Sequence, residues 1–465
     1  MTPTTPRGSV DSAVTATVEH RSGAGNRRDP DSVKHDREAR RVILSSYLGS
    51  TIEFYDFLLY ASASALVFPH IFFTNLDPIA GTIASYGTFA AGYIARPLGG
   101  MIFGHFGDRV GRKKMLMISM FIMGIASTLI GLVPPASAIG PMGAVILVIL
   151  RFSQGIAVGG EWGGAALMAL EHSRSGRRGF AAAFTNAGAP SGAALGTFVL
   201  GTFAAVLPPE EFLAWGWRIP FLLSFVLLIL GLVVRRAVSE SPVFQAAVAK
   251  AETGEQSRPK IPLFEVLRRP RALVLTMLGA ASGFALQVLL STFSVSFAAE
   301  QGAERSHVLY AFAVASVLQI PAVVFFGHLS DRFGRRPVIL LGLVVFVLYL
   351  FPFFNLLGTQ NIWLILVAFT LALGIHAAVY GPLAAFISEQ FGTSARYTGA
   401  SLGYQFATLI GAGFTPTILA SLYGSTGGTS LTPVIGFLAG MAIISAVAIY
   451  LTGESRDVNL HTHSH

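Results

Sequence analysis

The sequence predicts an all-α integral membrane protein, with twelve transmembrane helices in two parallel six-helix pseudo-repeats. Three observations carry this. The 465 residues are 53% hydrophobic and only 12% charged, about half the charged share of an ordinary soluble domain. Apolar runs of about 20 residues, enough to cross a bilayer, recur along the whole chain. One small charged loop is also written twice, GHFGDRVGRKKM from Gly104 and GHLSDRFGRRPV from Gly327.

In chain order, residues 1–40 are rich in Pro, Ser, Thr, Gly and charge and read as a disordered cytoplasmic tail. Six spans follow at 44–71, 81–103, 114–133, 142–170, 179–206 and 217–237, giving an N-terminal bundle over 41–237. The first begins after Arg40-Arg41 and could pass for a signal peptide. It is too long, however, and carries Glu53 and Asp56, so it reads as a retained span. A polar stretch at 238–270 (AVAKAETGEQSRPKIP within it) reads as a cytoplasmic linker. Six more spans, at 271–299, 307–326, 337–357, 361–388, 397–423 and 431–452, make a C-terminal bundle over 271–453, with a cytoplasmic tail at 454–465.

Lysine and arginine set the expected orientation, because short basic loops stay cytoplasmic. With an inside N-terminus, the inward-facing segments hold 28 of the 32 Lys and Arg residues. The exceptions are Arg96 and Arg151 within spans, Arg305 in an outer connection and Arg218 at the edge of another. Both termini are therefore expected in the cytoplasm of a multi-pass plasma-membrane protein. The net charge of +8 needs no nucleic acid to explain it. Trp215, Trp217 and Trp363 fall at expected outer interfaces, where amphipathic rings belong, whereas Trp162 lies inside a span.

The doubled loop falls after span two and again after span eight. Gly155-Ile156 is echoed by Gly374-Ile375, Glu171 by Glu389, and Arg178 by Arg396. Such matched offsets indicate two repeats related by an axis along the membrane normal, with a substrate site between them. Gly-x-x-x-Asp-Arg-x-Gly-Arg-Arg/Lys at these two places resembles the signature loop of the major facilitator superfamily. The inner-gate candidates are Gly104, Asp108, Arg109, Gly111 and Arg112, with Gly327, Asp331, Arg332, Gly334 and Arg335 in the second copy. The positive-inside rule alone accounts for the basic residues but not for the aspartates, the glycines or their spacing. The glycines permit close helix approach, and Asp with Arg forms a breakable contact suited to a gate.

TIEFYDFLLY, RFSQGIAVGGEWGGAALMALEH and AWGWRIPFLLS are in turn similar to the metabolite:proton symporter family. The resemblance implies import of a small polar metabolite, such as shikimate, 2-oxoglutarate, citrate, proline or betaine. Gly188-Ala-Pro-Ser-Gly192 partly resembles a motif of drug/proton antiporters, which form the alternative reading.

Ionisable groups inside a membrane are costly and usually functional. They are Glu53, Asp56, Arg96, Arg151 and Glu161, all in the first half. At about 1.5 Å per residue, Glu53 and Glu161 lie at a depth similar to Arg96, and Asp56 at one similar to Arg151. Two layers are expected: Glu53 and Glu161 around Arg96, and Asp56 facing Arg151. Two acids sharing one arginine leave a surplus carboxylate able to carry a proton. Glu53, Glu161 and Asp56 are therefore the proton-coupling candidates, with Arg96 and Arg151 as charge partners. For an isolated Asp56–Arg151 pair, a structural role is equally expected.

Substrate-cavity candidates are Tyr55, Gln154, Trp162, Asn186, Gln287, Gln319, His376, Tyr380 and Gln405, with Tyr60 and Tyr404. A buried histidine such as His376 more often serves as a hydrogen-bonded structural group than as a proton carrier. The second half has no intramembrane Lys or Arg, which disfavours a tri-anion and favours a monocarboxylate or zwitterion over a dicarboxylate.

Enzymatic function finds little support. Gly399-Ala-Ser401-Leu-Gly403 spells G-x-S-x-G but lies inside an apolar span rather than at a strand-to-helix turn. The chain has no HExxH, no Walker A loop and no cysteine. The expectation is a secondary active transporter: a monomer in the bilayer, needing no cofactor and no metal, with the proton as coupling ion.

Overall fold

The computed structural model describes residues 30–110, 112–159, 178–236, 270–391 and 396–454. Contacts divide the chain after Arg40, and the helices that surround the site belong to the unit Arg41–His465. Among the described residues, twelve longer helices run in order, with short ones such as Phe68–Phe72 and Ala136–Ile139 between them: α1 (Pro30–Leu66), α2 (Pro78–Val110), α3 (Arg112–Ile130), α4 (Met142–Gly159), α5 (Arg178–Val206), α6 (Pro209–Arg236), α7 (Pro270–Glu300), α8 (Arg305–Phe333), α9 (Arg335–Leu357), α10 (Ile362–Glu389), α11 (Thr398–Ser425) and α12 (Thr432–Leu451). Among the described residues, nine of these are long and apolar enough by themselves to cross a membrane. Helix α1 already begins at Pro30, within the stretch expected to be a tail.

Several ends have a local cause. The Asn361 side chain accepts the N–H groups of Trp363 and Leu364, which starts α10. Gly334, at φ 100°, breaks the chain between α8 and α9 in a conformation that suits glycine. Arg218 donates to the carbonyls of Gly131 and Val133 at 2.9 and 2.7 Å, just beyond the end of α3. A cation there completes open carbonyls and complements the helix dipole. This explains a basic residue on the side where few were expected.

Close helix approach depends on small residues. A Cβ at Gly99 would run into the backbone of Ile156, one at Gly155 into Gly92, and one at Gly159 into Arg96. Helices α2 and α4 therefore meet backbone to backbone, as small-residue spacing in a membrane allows. The halves meet along two seams, α5 against α8 and α2 against α11.

Large apolar side chains such as Leu348, Phe351 and Ile443 face outward, where lipid can cover them. The apolar window of α7 is 72% buried against 33% for α6 and α12, so α7 is an inner helix and those two are peripheral. Trp217 departs from its expected interfacial place. It is fully buried in an edge-to-face cluster with Phe68, Phe72 and Phe221, where its ring packs instead of anchoring. Trp215 and Trp363 are exposed as expected.

Candidate functional site

The site lies between the halves, midway along the helices. Phe54, Phe57 and Leu58 of α1 and Tyr93 and Arg96 of α2 face Phe284, Gln287 and Val288 of α7 and Tyr404 and Thr408 of α11. These enclose a cavity of about 10 Å³, room for one water. Its walls come from both repeats. Three local devices shape it. Pro97 follows Arg96 and denies the Tyr93 carbonyl its usual helical donor. A π-helical turn at Leu289–Phe293 follows the α7 wall residues, and another at Leu409–Gly413 follows Thr408. Such turns concentrate at functional sites.

Two buried arginines stand behind the wall. The Arg96 guanidinium carbon lies 4.3 Å from the Phe57 ring centre and 4.4 Å from that of Tyr93. That of Arg151 lies 3.9 Å from Phe57, 4.3 Å from Tyr60 and 4.7 Å from Phe89. Each desolvated cation–π contact is worth roughly 0.5–2 kcal/mol. Among the described residues neither arginine forms an ion pair with a carboxylate. Arg96 Nε and Arg151 Nε and Nη2 lack acceptors there.

Asp56 and Arg151 do not face each other directly, as depth alone led one to expect. Ser224 donates to Asp56 at 2.5 Å, and Ser127 is its second hydroxyl partner. Gln154 donates to Ser127 at 2.7 Å and accepts from Arg151 at 3.0 Å. Two neutral side chains thus separate acid from base, because the short Ser127 and long Gln154 fill the gap between α1 and α4. Glu53 lies one turn from Phe57 on the same face of α1, with Arg96 and Arg235 as the positive charges that act on it. Arg235 reaches α1 beside Gly49.

Other expected cavity residues are spent on architecture. Tyr55 donates to the Pro220 carbonyl at 2.8 Å within the first half, and Tyr60 bonds Thr88. His376 sits between Gln319, 2.9 Å from Nδ1, and the Gly283 carbonyl, 2.9 Å from Nε2, tying α8, α10 and α7 together. Tyr380 stacks on His376 at 5.3 Å. Asn186 and Gln405 instead bridge the halves, donating to the Tyr380 and Gly159 carbonyls at 2.9 Å each. Gln287 and Tyr404 do line the cavity. Glu161 and Trp162 lie outside the described residues. Sequence reasoning passed over Phe54, Phe57, Tyr93, Phe284 and Thr408. The i, i+4 spacing of Phe57 from Glu53 could have marked that ring, but phenylalanines are too common here to stand out.

Polar contacts join the halves near both ends. At the end bearing the doubled loops, Asp331 accepts the N–H groups of Gly179 and Phe180 at 2.8 and 3.0 Å. Arg335 pairs with Asp331 at 2.7 Å and with Glu389 at 3.2 Å. A Cβ at Gly327 would collide with Ala183, so that glycine admits the contact. The chain just after α12 joins in, Glu454 accepting the N–H groups of Arg335 and Arg336 at 2.9 and 3.1 Å. Gly111, the side chains of Asp108, Arg109 and Arg112, and the surroundings of Gly104 lie outside what the structure describes. Arg332 and Gly334 border the second loop. At the opposite end Tyr86 bonds Ser296 at 2.8 Å and Arg305 bonds His70 at 3.1 Å.

The Major Facilitator Superfamily model matches residues 47–318 and 275–462. The chain belongs to that superfamily. An inner membrane metabolite transport protein of Escherichia coli K12, YhjE, is 40% identical over 429 residues, covering 90% of this chain and 95% of that one. The shikimate transporter of the same organism is 38% identical over 421 residues, with the same coverage. Its proline/betaine transporter is 34% identical over 405 residues, covering 84% and 79%. A D-xylose-proton symporter shares the fold, with a TM-score of 0.70 at 18% identity over 90% of this chain and 99% of that one. This member of the superfamily is a multi-pass membrane transporter of the metabolite-carrier branch and not an enzyme.

Proposed function

We propose that this chain is a proton symporter importing a small metabolite, a monocarboxylate or zwitterion in preference to a dicarboxylate, by alternating access in the plasma membrane. The observation that carries the reading is Arg96: a buried guanidinium in the wall of a cavity between the halves, stacked on rings and, among the described residues, in no ion pair with an acid. A buried cation that no described carboxylate holds in an ion pair favours an anion strongly, and a carboxylate matches the guanidinium fork. Gln287, Tyr404 and Thr408 opposite are neutral and suit a hydroxyl or amide rather than a second carboxylate.

Glu53 beside Arg96 is the primary proton carrier in this reading, with Glu161 and Asp56 as the other acids. Carrying its proton, Glu53 leaves Arg96 to the substrate; losing it, Glu53 competes for Arg96 and helps expel the substrate. The distribution of Lys and Arg supports placing the doubled loops and both termini in the cytoplasm. Relatives named as shikimate and proline/betaine transporters support a substrate of this size and charge. The rival, drug/proton antiport, is disfavoured because a cationic wall repels cationic drugs.

Proteoliposomes under an inward proton gradient test the reading with labelled shikimate, proline, glycine betaine and 2-oxoglutarate. Uphill accumulation of a monocarboxylate or zwitterion is expected. Extrusion of a cationic dye without accumulation of any of the four would overturn it.

A further inference from the structure

The two arginines share one ring. Phe57 contacts the guanidinium of Arg96 at 4.3 Å and that of Arg151 at 3.9 Å, and among the described cation–π contacts no other ring touches both. Phe57 is buried and packs against Phe89 and Tyr93 with centroids 5.4 and 5.0 Å apart, the latter edge-on at 88°. It also forms part of the cavity wall. Two like charges this close repel, and burial removes the water that would screen them. Among the described acids, Asp56 is engaged by Ser224 and Ser127, Gln154 holds the Arg151 side, and Glu53 acts on Arg96 without forming an ion pair with it.

We propose that Phe57 is the positioning residue for Arg96: its ring face holds the guanidinium at the cavity wall in place of a carboxylate, leaving that cation open to a carboxylate-bearing substrate. The ring stabilises the charge through its quadrupole without neutralising it. A carboxylate in its place would hold Arg96 equally well but would also compete with the substrate. Tyr93 steadies the same guanidinium from its own helix, whereas Phe57 belongs to α1 and fixes where Arg96 of α2 stands relative to Glu53. The inference rests on the carboxylate reading above and adds to it the group that keeps the binding cation available.

The test replaces Phe57 with mono-, di- and trifluorophenylalanine by nonsense suppression in the full-length carrier. Each fluorine withdraws charge from the ring face while leaving its shape almost unchanged. Two readouts are taken: the melting midpoint of the substrate-free protein in detergent, and the dissociation constants of shikimate and glycine betaine. Stepwise falls in the midpoint are expected, with dissociation constants rising about threefold per fluorine. Phe57→Trp should retain binding, and Phe57→Leu should lose it while remaining folded. A flat melting series overturns the proposal, because simple apolar packing tolerates fluorine. If neither probe binds even the parent, the carboxylate reading fails, and the melting series of the empty protein still decides whether the ring holds the arginines.

Discussion

Asp331 accepts the backbone N–H of Gly179 at 2.8 Å, so a carboxylate of one half sits on the first turn of a helix of the other. The second oxygen takes Phe180, and Arg335 holds the same group from its own half. Negative charge at a helix start is favourable, and charge-assisted hydrogen bonds are the strong ones. Asp331→Asn removes that charge and should weaken closure by about 1–3 kcal/mol. The protein has no cysteine, so a single cysteine at Ala183, buried behind this contact, reports the change. Its alkylation should quicken about fivefold to a hundredfold in the Asn variant, 1.4 kcal/mol being a factor of ten.

Glu53→Gln should abolish proton-driven accumulation while substrate exchange continues, since the amide keeps the shape and cannot cycle a proton. Counterflow and uphill uptake measured on the same vesicles separate the two. If accumulation survives in Glu53→Gln, Glu161→Gln and Asp56→Asn alike, the coupling acid lies elsewhere.

Arg96→Lys keeps the charge but loses the planar fork and its stacking on Phe57 and Tyr93. KM for the carboxylate substrate should rise about tenfold or more, equivalent to about 1.4 kcal/mol. Arg151→Lys should act mainly on folding, because Arg151 is fully buried in the Gln154–Ser127–Asp56 network rather than in the cavity wall. Initial-rate kinetics beside detergent melting curves distinguish them.

Gly155→Ala should destabilise the protein by about 1–3 kcal/mol, the usual cost of overpacking. The added carbon meets the Gly92 backbone, which has no side chain to give way. The melting midpoint should drop by several degrees. At Gly374, its partner in the repeat, an added carbon meets nothing, and Gly374→Ala should be nearly silent.

Hydropathy and the repeated loop determined the membrane class and the all-helical, two-repeat architecture. Each of these follows from local length and composition, because lipid demands long apolar helices whatever their neighbours. The ionisable groups were legible for the same reason, since a charge in an apolar run stands out. What faces what was decided only by packing. Depth put Asp56 level with Arg151, but rotation about the helix axes sent Asp56 to Ser224 and Ser127 and left Gln154 to meet the arginine. His376 and Gln319 looked like ligands and became each other's partners, because α8 and α10 bring them within 2.9 Å. Phe57 was invisible among the 36 phenylalanines of the chain. A ring gains a role from the cations that reach it, and Arg96 and Arg151 come from other helices.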